Sequence, residues 1–210
     1  MTPRSSAPVR SLFGTLKAER LVFANPMHGI NGGKLTTTIP ASLTAEEVEA
    51  VAHAALQTPA LRVVVALSGI HALPSHQIRT MLLEQVDLAG GRLDPEGLNR
   101  PPDEYTTEAI NSYLDYRRRR WPNSTNPHLL ISRDTATTTT AVGTFWMDKL
   151  VRPLPVGLDR LRQDRILEEA LVSGADPLHL AHVFSLAAKT SLRYTTPVAT
   201  SAAEHDPRTP

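Results

Sequence analysis

The chain has 210 residues, with 22 Lys and Arg against 21 Asp and Glu and a formal net charge of +1. A 41% hydrophobic content is enough to fill a core, which excludes a wholly disordered chain, and the charge balance selects no partner. There is no Cys, so a disulfide framework, a thiol nucleophile and a thiolate metal site are excluded. The longest candidate stretch, Leu61–Leu67, carries Arg62 and falls far short of the ~18 residues of a membrane span. The start, MTPRSSAPVRS, lacks the apolar core of a signal peptide, so a cytoplasmic protein with no membrane partner is expected. Aromatics are scarce, which leaves the core to Leu, Val, Ile and Ala and favours helices.

In chain order, Leu12, Phe13, Leu16, Leu21 and Phe23 form an amphipathic helical stripe that closes at Asn25-Pro26. Residues 32–42, GGKLTTTIPAS, read as a linker. Thr44 and Glu47 make a capping box for a helix to about Leu56. Pro59 starts a second helix, apolar nearly all round through His71-Ala72, which places it at the centre of the fold. Ser75 caps a third, SHQIRTMLLEQ, and VDLAGGRLDPEG reads as a short hairpin around Gly90-Gly91. A long helix follows, DEYTTEAINSYLDYRRRRW, and then HLLIS as a short buried strand or extended piece. Helices are predicted at AVGTFWMDKLVR, at LDRLRQDRILEEALVSG with a C-terminal Gly, at LHLAHVF behind Asp176-Pro177, and at KTSLRYTT. From Pro197 the tail has no apolar pattern and is expected to be disordered. The fold class is mainly α with a small β-sheet (α+β).

Three constellations bear on chemistry. LAHVFSLAAKTSLRY has the layout of a helix-turn-helix: Leu180, Phe184 and Leu186 beneath, Ala181 at the crossing, and Lys189, Thr190 and Arg193 presented outward. Ser185 stands where a Gly is the common turn residue, and a tight helical corner used only for packing fits the same pattern. Arg117, Arg118, Arg119 and Arg120 circle most of a helix turn before Trp121; they either grip phosphates or complement their own helix terminus with stems over the indole. His179 and His182 stand three apart, but no acid or third His is near in sequence, so no metal is expected. His71 and His76 flank Pro74 and read as surface or capping groups. No phosphate-cradling Gly-rich loop and no nucleophile elbow is present, and no cofactor is expected.

The order of these pieces, over residues 9 to 196, resembles the tyrosine recombinase (phage integrase) family, as a degenerate and N-terminally truncated member. The resemblance implies a core-binding-domain remnant over 1–31, the linker over 32–42, a catalytic-domain-like unit over 43–197 and a disordered tail over 198–210. That family cuts DNA by attack of a tyrosine on a phosphodiester, with two arginines, a lysine and histidine-type groups around the phosphorane. By the resemblance, Tyr194 in SLRYT matches the nucleophile. The first arginine falls on Pro74, the His-x-x-Arg pair on Arg160 and Gln163, and the late His or Trp on Ser185. The hairpin region between Val86 and Pro101 offers Arg92 and Arg100 but no Lys, and only shifts of register bring in Arg79, Arg162 or Arg165. Each missing donor costs ~10²–10³ in rate, so impaired cleavage is expected.

What remains by this reading is binding of duplex DNA through the C-terminal helix pair and Arg117, Arg118, Arg119, Arg120, Arg160, Arg162, Lys189 and Arg193. Partners of the same kind of chain would be a second copy or a full-length recombinase. Two alternatives stay open: a helix-turn-helix regulator whose recognition helix holds Tyr194, and a protein-interaction module that docks through its first helix.

Overall fold

The computed structural model describes residues 42–97 and 99–204, and among them are eight α-helices and one two-stranded sheet. The stripe from Leu12 to Phe23, the 1–31 remnant, all but the last residue of the linker, and residues 205–210 lie outside the described residues. No described helix is long and apolar enough to cross a membrane.

Side-chain caps set four of the eight described helix starts. Helix α1 (Ala45–Ala55) has the expected box: Glu47 N–H donates to Thr44 Oγ1 at 3.2 Å, and Thr44 N–H to Glu47 Oε2 at 2.9 Å. Helix α2 (Pro59–Gly69) opens with Pro at its first turn and Thr58 as N-cap. Ala60, Leu61 and the run from Val63 to Ser68 are buried, as an all-round apolar helix requires. It ends three residues before Ala72, where the backbone turns left-handed at φ 52°.

Helix α3 (Ser75–Thr80) departs from expectation at both ends. Pro74 is the N-cap and offers no side-chain acceptor, so Ser75 is a helical residue and not the cap. The helix stops at Thr80 instead of Gln85, because the next residues pair with a distant segment: Leu129 N–H donates to Met81 O at 2.7 Å and Leu83 N–H to Pro127 O at 2.8 Å. The HLLIS segment is thus an extended, buried piece, bridged at Leu82 and His128.

Strands β1 (Val86–Asp87) and β2 (Arg92–Leu93) form the expected antiparallel hairpin, with Val86 opposite Leu93. Gly91 takes a φ of +63° at the turn, a conformation that a side chain disfavours. Leu93 and Arg100 exchange two backbone hydrogen bonds of 2.8 Å, which fixes the backbone of Arg100. Helix α4 (Glu104–Arg120) begins at Asp103, whose carboxylate accepts from Thr106 N–H.

Helices α5 (Thr144–Val151), α6 (Leu158–Val172), α7 (Pro177–Phe184) and α8 (Ala188–Glu204) complete the unit. Helix α8 runs past Pro197 into the stretch expected to be disordered. A proline inside a helix removes one backbone bond at a cost of about 3 kcal/mol. Val198 packs against the core beneath α8 and offsets part of that cost.

Two apolar clusters result. The larger surrounds α2 and takes in Ile110 and Tyr113 of α4, Leu129 and Leu130, and Met147 of α5. The smaller lies among α6, α7 and α8 and holds Ile166, Leu180, Phe184 and Tyr194. The turn after α2 joins them, since Ala72 belongs to the smaller cluster and Leu73 to the larger.

Candidate functional site

Tyr194 sits nearly two turns into α8 on its buried face, with Ser191 and Thr195, and is only 3% exposed. Burial pushes its phenol above the ordinary range, against the pull of the positive charges of Arg162 and Arg193, while Asp159 adds to the rise. The group is therefore a neutral phenol near pH 7.

Helices α7 and α8 form the tight corner that the sequence predicts. Asp176 Oδ1 accepts from Leu178 and His179 N–H at 2.8 and 3.2 Å, and Ser185 turns the chain in the left-handed region at φ 51°, ψ 42°. Lys189 and Arg193 are exposed on α8, one turn apart.

The turn after α2 is the electrostatic centre of the unit. Three successive carbonyl oxygens each accept from a different arginine: Ile70 from Arg165 Nε at 3.2 Å, His71 from Arg100 Nη1 at 2.6 Å, and Ala72 from Arg162 Nε at 2.7 Å. Arg100 Nη2 also donates to Val183 O on α7. The guanidinium carbons of Arg100 and Arg165 each lie 5.8 Å from the Phe184 ring centroid. Burial lowers the Arg100 pKa, and neighbouring Arg162 lowers it further. Among the described residues Arg165 alone of the three pairs with carboxylates, Glu168 at 3.3 Å and Glu169 at 2.9 Å.

His71 corrects its expected placement at the surface. It is 7% exposed, with Nε2 at 3.1 Å from Thr106 Oγ1 and 3.3 Å from Asp103 Oδ2. Burial depresses its pKa, Asp103 opposes this, and Arg100 and Arg165 add to the depression. His76 is exposed. His179 Nε2 lies 2.8 Å from Glu169 Oε1, and His182 is exposed. Among the described residues no three His, Asp or Glu converge as a metal site.

The arginine run divides sharply. Arg117 is 6% exposed and cannot reach a phosphate: its guanidinium donates to Asn126 O, His128 O and Leu129 O. This contradicts its expected place among the DNA-gripping residues, because the helix turns it inward over the 126–129 segment. Arg118 is exposed and pairs with Asp115 at 2.8 Å, Arg119 Nε donates to Asp115 O at 3.3 Å, and Arg120 lies 5.7 Å from the Trp121 ring centroid.

The positions that the family resemblance marks carry little chemistry. Pro74 has no donor. Arg160 reaches Glu47 at 3.3 Å, Ser185 is the left-handed turn residue, and Arg92 pairs with Asp87 at 2.9 Å. Arg79 donates to Val142 O at 3.2 Å. Arg100 is the residue that sequence reasoning undervalued. Its only signal was a lone basic residue at the end of the hairpin region, and its partners lie 29 and 83 positions away.

No family model and no curated protein matches this chain. Solved structures do. A XerA recombinase superposes with a TM-score of 0.63 at 19% identity, over 82% of this chain and 68% of that one. XerH, a site-specific recombinase bound to palindromic difH substrate in a post-cleavage complex, gives 0.60 at 13% identity, over 84% of this chain and 55% of that one. The Tn1549 transposon integrase in complex with circular intermediate DNA gives 0.59 at 13% identity, over 95% of this chain and 77% of that one. The chain therefore has the fold of the tyrosine recombinase catalytic domain, mostly helical with a small two-stranded sheet. It spans little more than half the length of XerH.

Proposed function

We propose that this chain binds duplex DNA through the recombinase fold without cutting it. The observation that carries the reading is the engagement of Arg100, Arg162 and Arg165. Their side chains donate to backbone carbonyls of residues 70–72 beside a buried Tyr194. A phosphorane needs pre-placed donors that are free to receive it, and a phenol with a raised pKa needs a base or a strong positive field to attack. Arg100 and Arg165 direct their terminal nitrogens to carbonyls and carboxylates, and Arg162 directs its Nε to the turn. Burial outweighs the positive field of Arg162 and Arg193 at the phenol, and Pro74 and Ser185 supply no substitute.

DNA binding draws its support from the neighbours, two of which hold DNA, and from the cations that face solvent. Lys189 and Arg193 project from the second helix of a tight corner, the geometry that lays a helix against a groove. Arg118 and Arg119 add exposed charge elsewhere. The test is fluorescence anisotropy on duplex DNA across a salt series, together with trapping of a covalent adduct on a nicked suicide duplex. Affinity should fall steeply with salt, by a slope of about −0.9 per phosphate neutralised, and Lys189→Ala with Arg193→Ala should flatten it by about two. No adduct should form with the parent chain or with Tyr194→Phe. An adduct that Tyr194→Phe abolishes would restore Tyr194 as a nucleophile. A lack of binding at low salt would remove the DNA reading.

A further inference from the structure

A second site lies at the other end of the central helix. The start of α2 and the end of α4 frame a cleft of about 480 Å³, closed by the 131–133 segment and α5. Helix α2 separates it from the 70–72 turn by about 16 Å at 1.5 Å per residue. The cleft is thus distinct from the Tyr194 site.

Its lining is chemically uneven. Trp121, Trp146 and Tyr116 supply aromatic surface, and Tyr116 meets Trp121 edge-on at 5.8 Å and 89°. Arg120 and Arg133 supply two guanidinium groups, and no carboxylate lines the cleft among the described residues. Arg133 makes no hydrogen bond or ion pair among the described residues, and the contact of Arg120 is with the Trp121 ring. Two uncompensated planar cations beside stacking surfaces suit a ligand with an aromatic ring and a doubly charged anionic end. A phosphate carries about −1.5 to −2 at neutral pH and matches the guanidinium fork. Aromatic side chains hold nucleobases by stacking with little regard to sequence. The volume falls in the range of small-ligand sites.

We infer that this cleft binds a nucleotide, with the base against the Trp121 and Trp146 surfaces and the phosphate on Arg120 and Arg133. The same chemistry is offered by a free mononucleotide and by an unstacked nucleotide of a single strand. The inference stands apart from the duplex-binding reading, which it does not require.

The chain has two tryptophans and both line the cleft, so its intrinsic fluorescence reports on occupancy directly. Titration of the full chain with dAMP, excited at the red edge where nucleotides do not absorb, should give saturable quenching. Deoxyadenosine and inorganic phosphate should each bind at least about tenfold more weakly, since each lacks one half of the recognition. Arg120→Ala with Arg133→Ala should weaken dAMP by about tenfold or more, with no change in the unfolding midpoint, because both side chains are exposed. An oligo-deoxyadenosine that binds tighter than dAMP assigns the site to single strands, and equal affinity assigns it to free nucleotides; both support the inference. Absence of saturable quenching at millimolar dAMP, unchanged affinity in the double variant, or phosphate binding as well as dAMP would each overturn it. Lys189→Ala with Arg193→Ala should leave the quenching intact, which separates a failure here from a failure of duplex binding.

Discussion

Arg117 and Arg118 are neighbours in one run of four arginines, yet their surroundings give them opposite work. Arg117 satisfies three carbonyl oxygens in a segment that has no regular ladder of its own. Burial lowers its pKa from the free value, which marks the desolvation that those bonds must offset. Arg117→Ala leaves buried acceptors without a donor and should destabilise the fold by about 2–4 kcal/mol, read as a shift of the urea midpoint. Arg118→Ala should stay within about 0.5 kcal/mol, since its single ion pair is exposed. His71 makes a second prediction at this scale. Its folded pKa lies below that of the unfolded chain, so the unfolded state binds more protons between the two values. The contribution of His71 is complete above about pH 6.5 and is lost as pH falls from there towards its depressed folded value. The urea midpoint should drop between pH 7.5 and 5.5, and His71→Gln should reduce that drop. An unchanged pH slope in the variant would assign the loss to other groups, of which His128 is also depressed by burial.

At the scale of elements, four of the eight described helix starts follow capping rules that act within four residues. Thr44 with Glu47 and Asp176 with Pro177 were legible because cap and capped amide are near in the chain, and Thr58 and Asp103 cap by the same local rule. The ends were harder. Helix α3 stops early because Met81 pairs with Leu129, and α8 continues late because Val198 finds a core to pack on. Neither partner is within reach of a local rule. The corner between α7 and α8 supports a further prediction. Ser185 holds a left-handed backbone that costs a residue with a Cβ roughly 1–2 kcal/mol. Ser185→Gly should therefore raise the melting temperature by a few degrees, worth about 1 kcal/mol, and Ser185→Val should lower it. Equal melting temperatures for both variants would show that the corner is relaxed in solution.

Across the whole molecule, the arginine cluster joins the two apolar clusters. Arg100 spans from the turn after α2 to the end of α7, and Arg162 ties α6 to the same turn. Arg100→Ala should loosen α7 and α8 before it affects α2 and α4. Native-state hydrogen exchange should then show faster exchange in α7 and α8 with near-parent protection in α2. Uniform acceleration everywhere would mean that the two clusters open as one unit.

The sequence by itself determined the class of the fold, the central place of α2, the hairpin and the α7–α8 corner. Each of these rests on periodicity or on caps and turns whose partners are adjacent. Its resemblance to the recombinases set Pro74 and Ser185, and a hairpin region without Lys, against positions where that family carries donors, which is an expectation that the fold alone does not test. Only the tertiary structure decided which charged groups are free. It turned Arg117 inward, buried His71 beside Asp103, and brought Arg100, Arg162 and Arg165 onto three consecutive carbonyls from 29 to 95 positions away. A guanidinium reads the same in sequence whether it meets a phosphate or a backbone oxygen. Its function is set by which acceptors the packed chain leaves unsatisfied around it, and long-range contacts alone settle that.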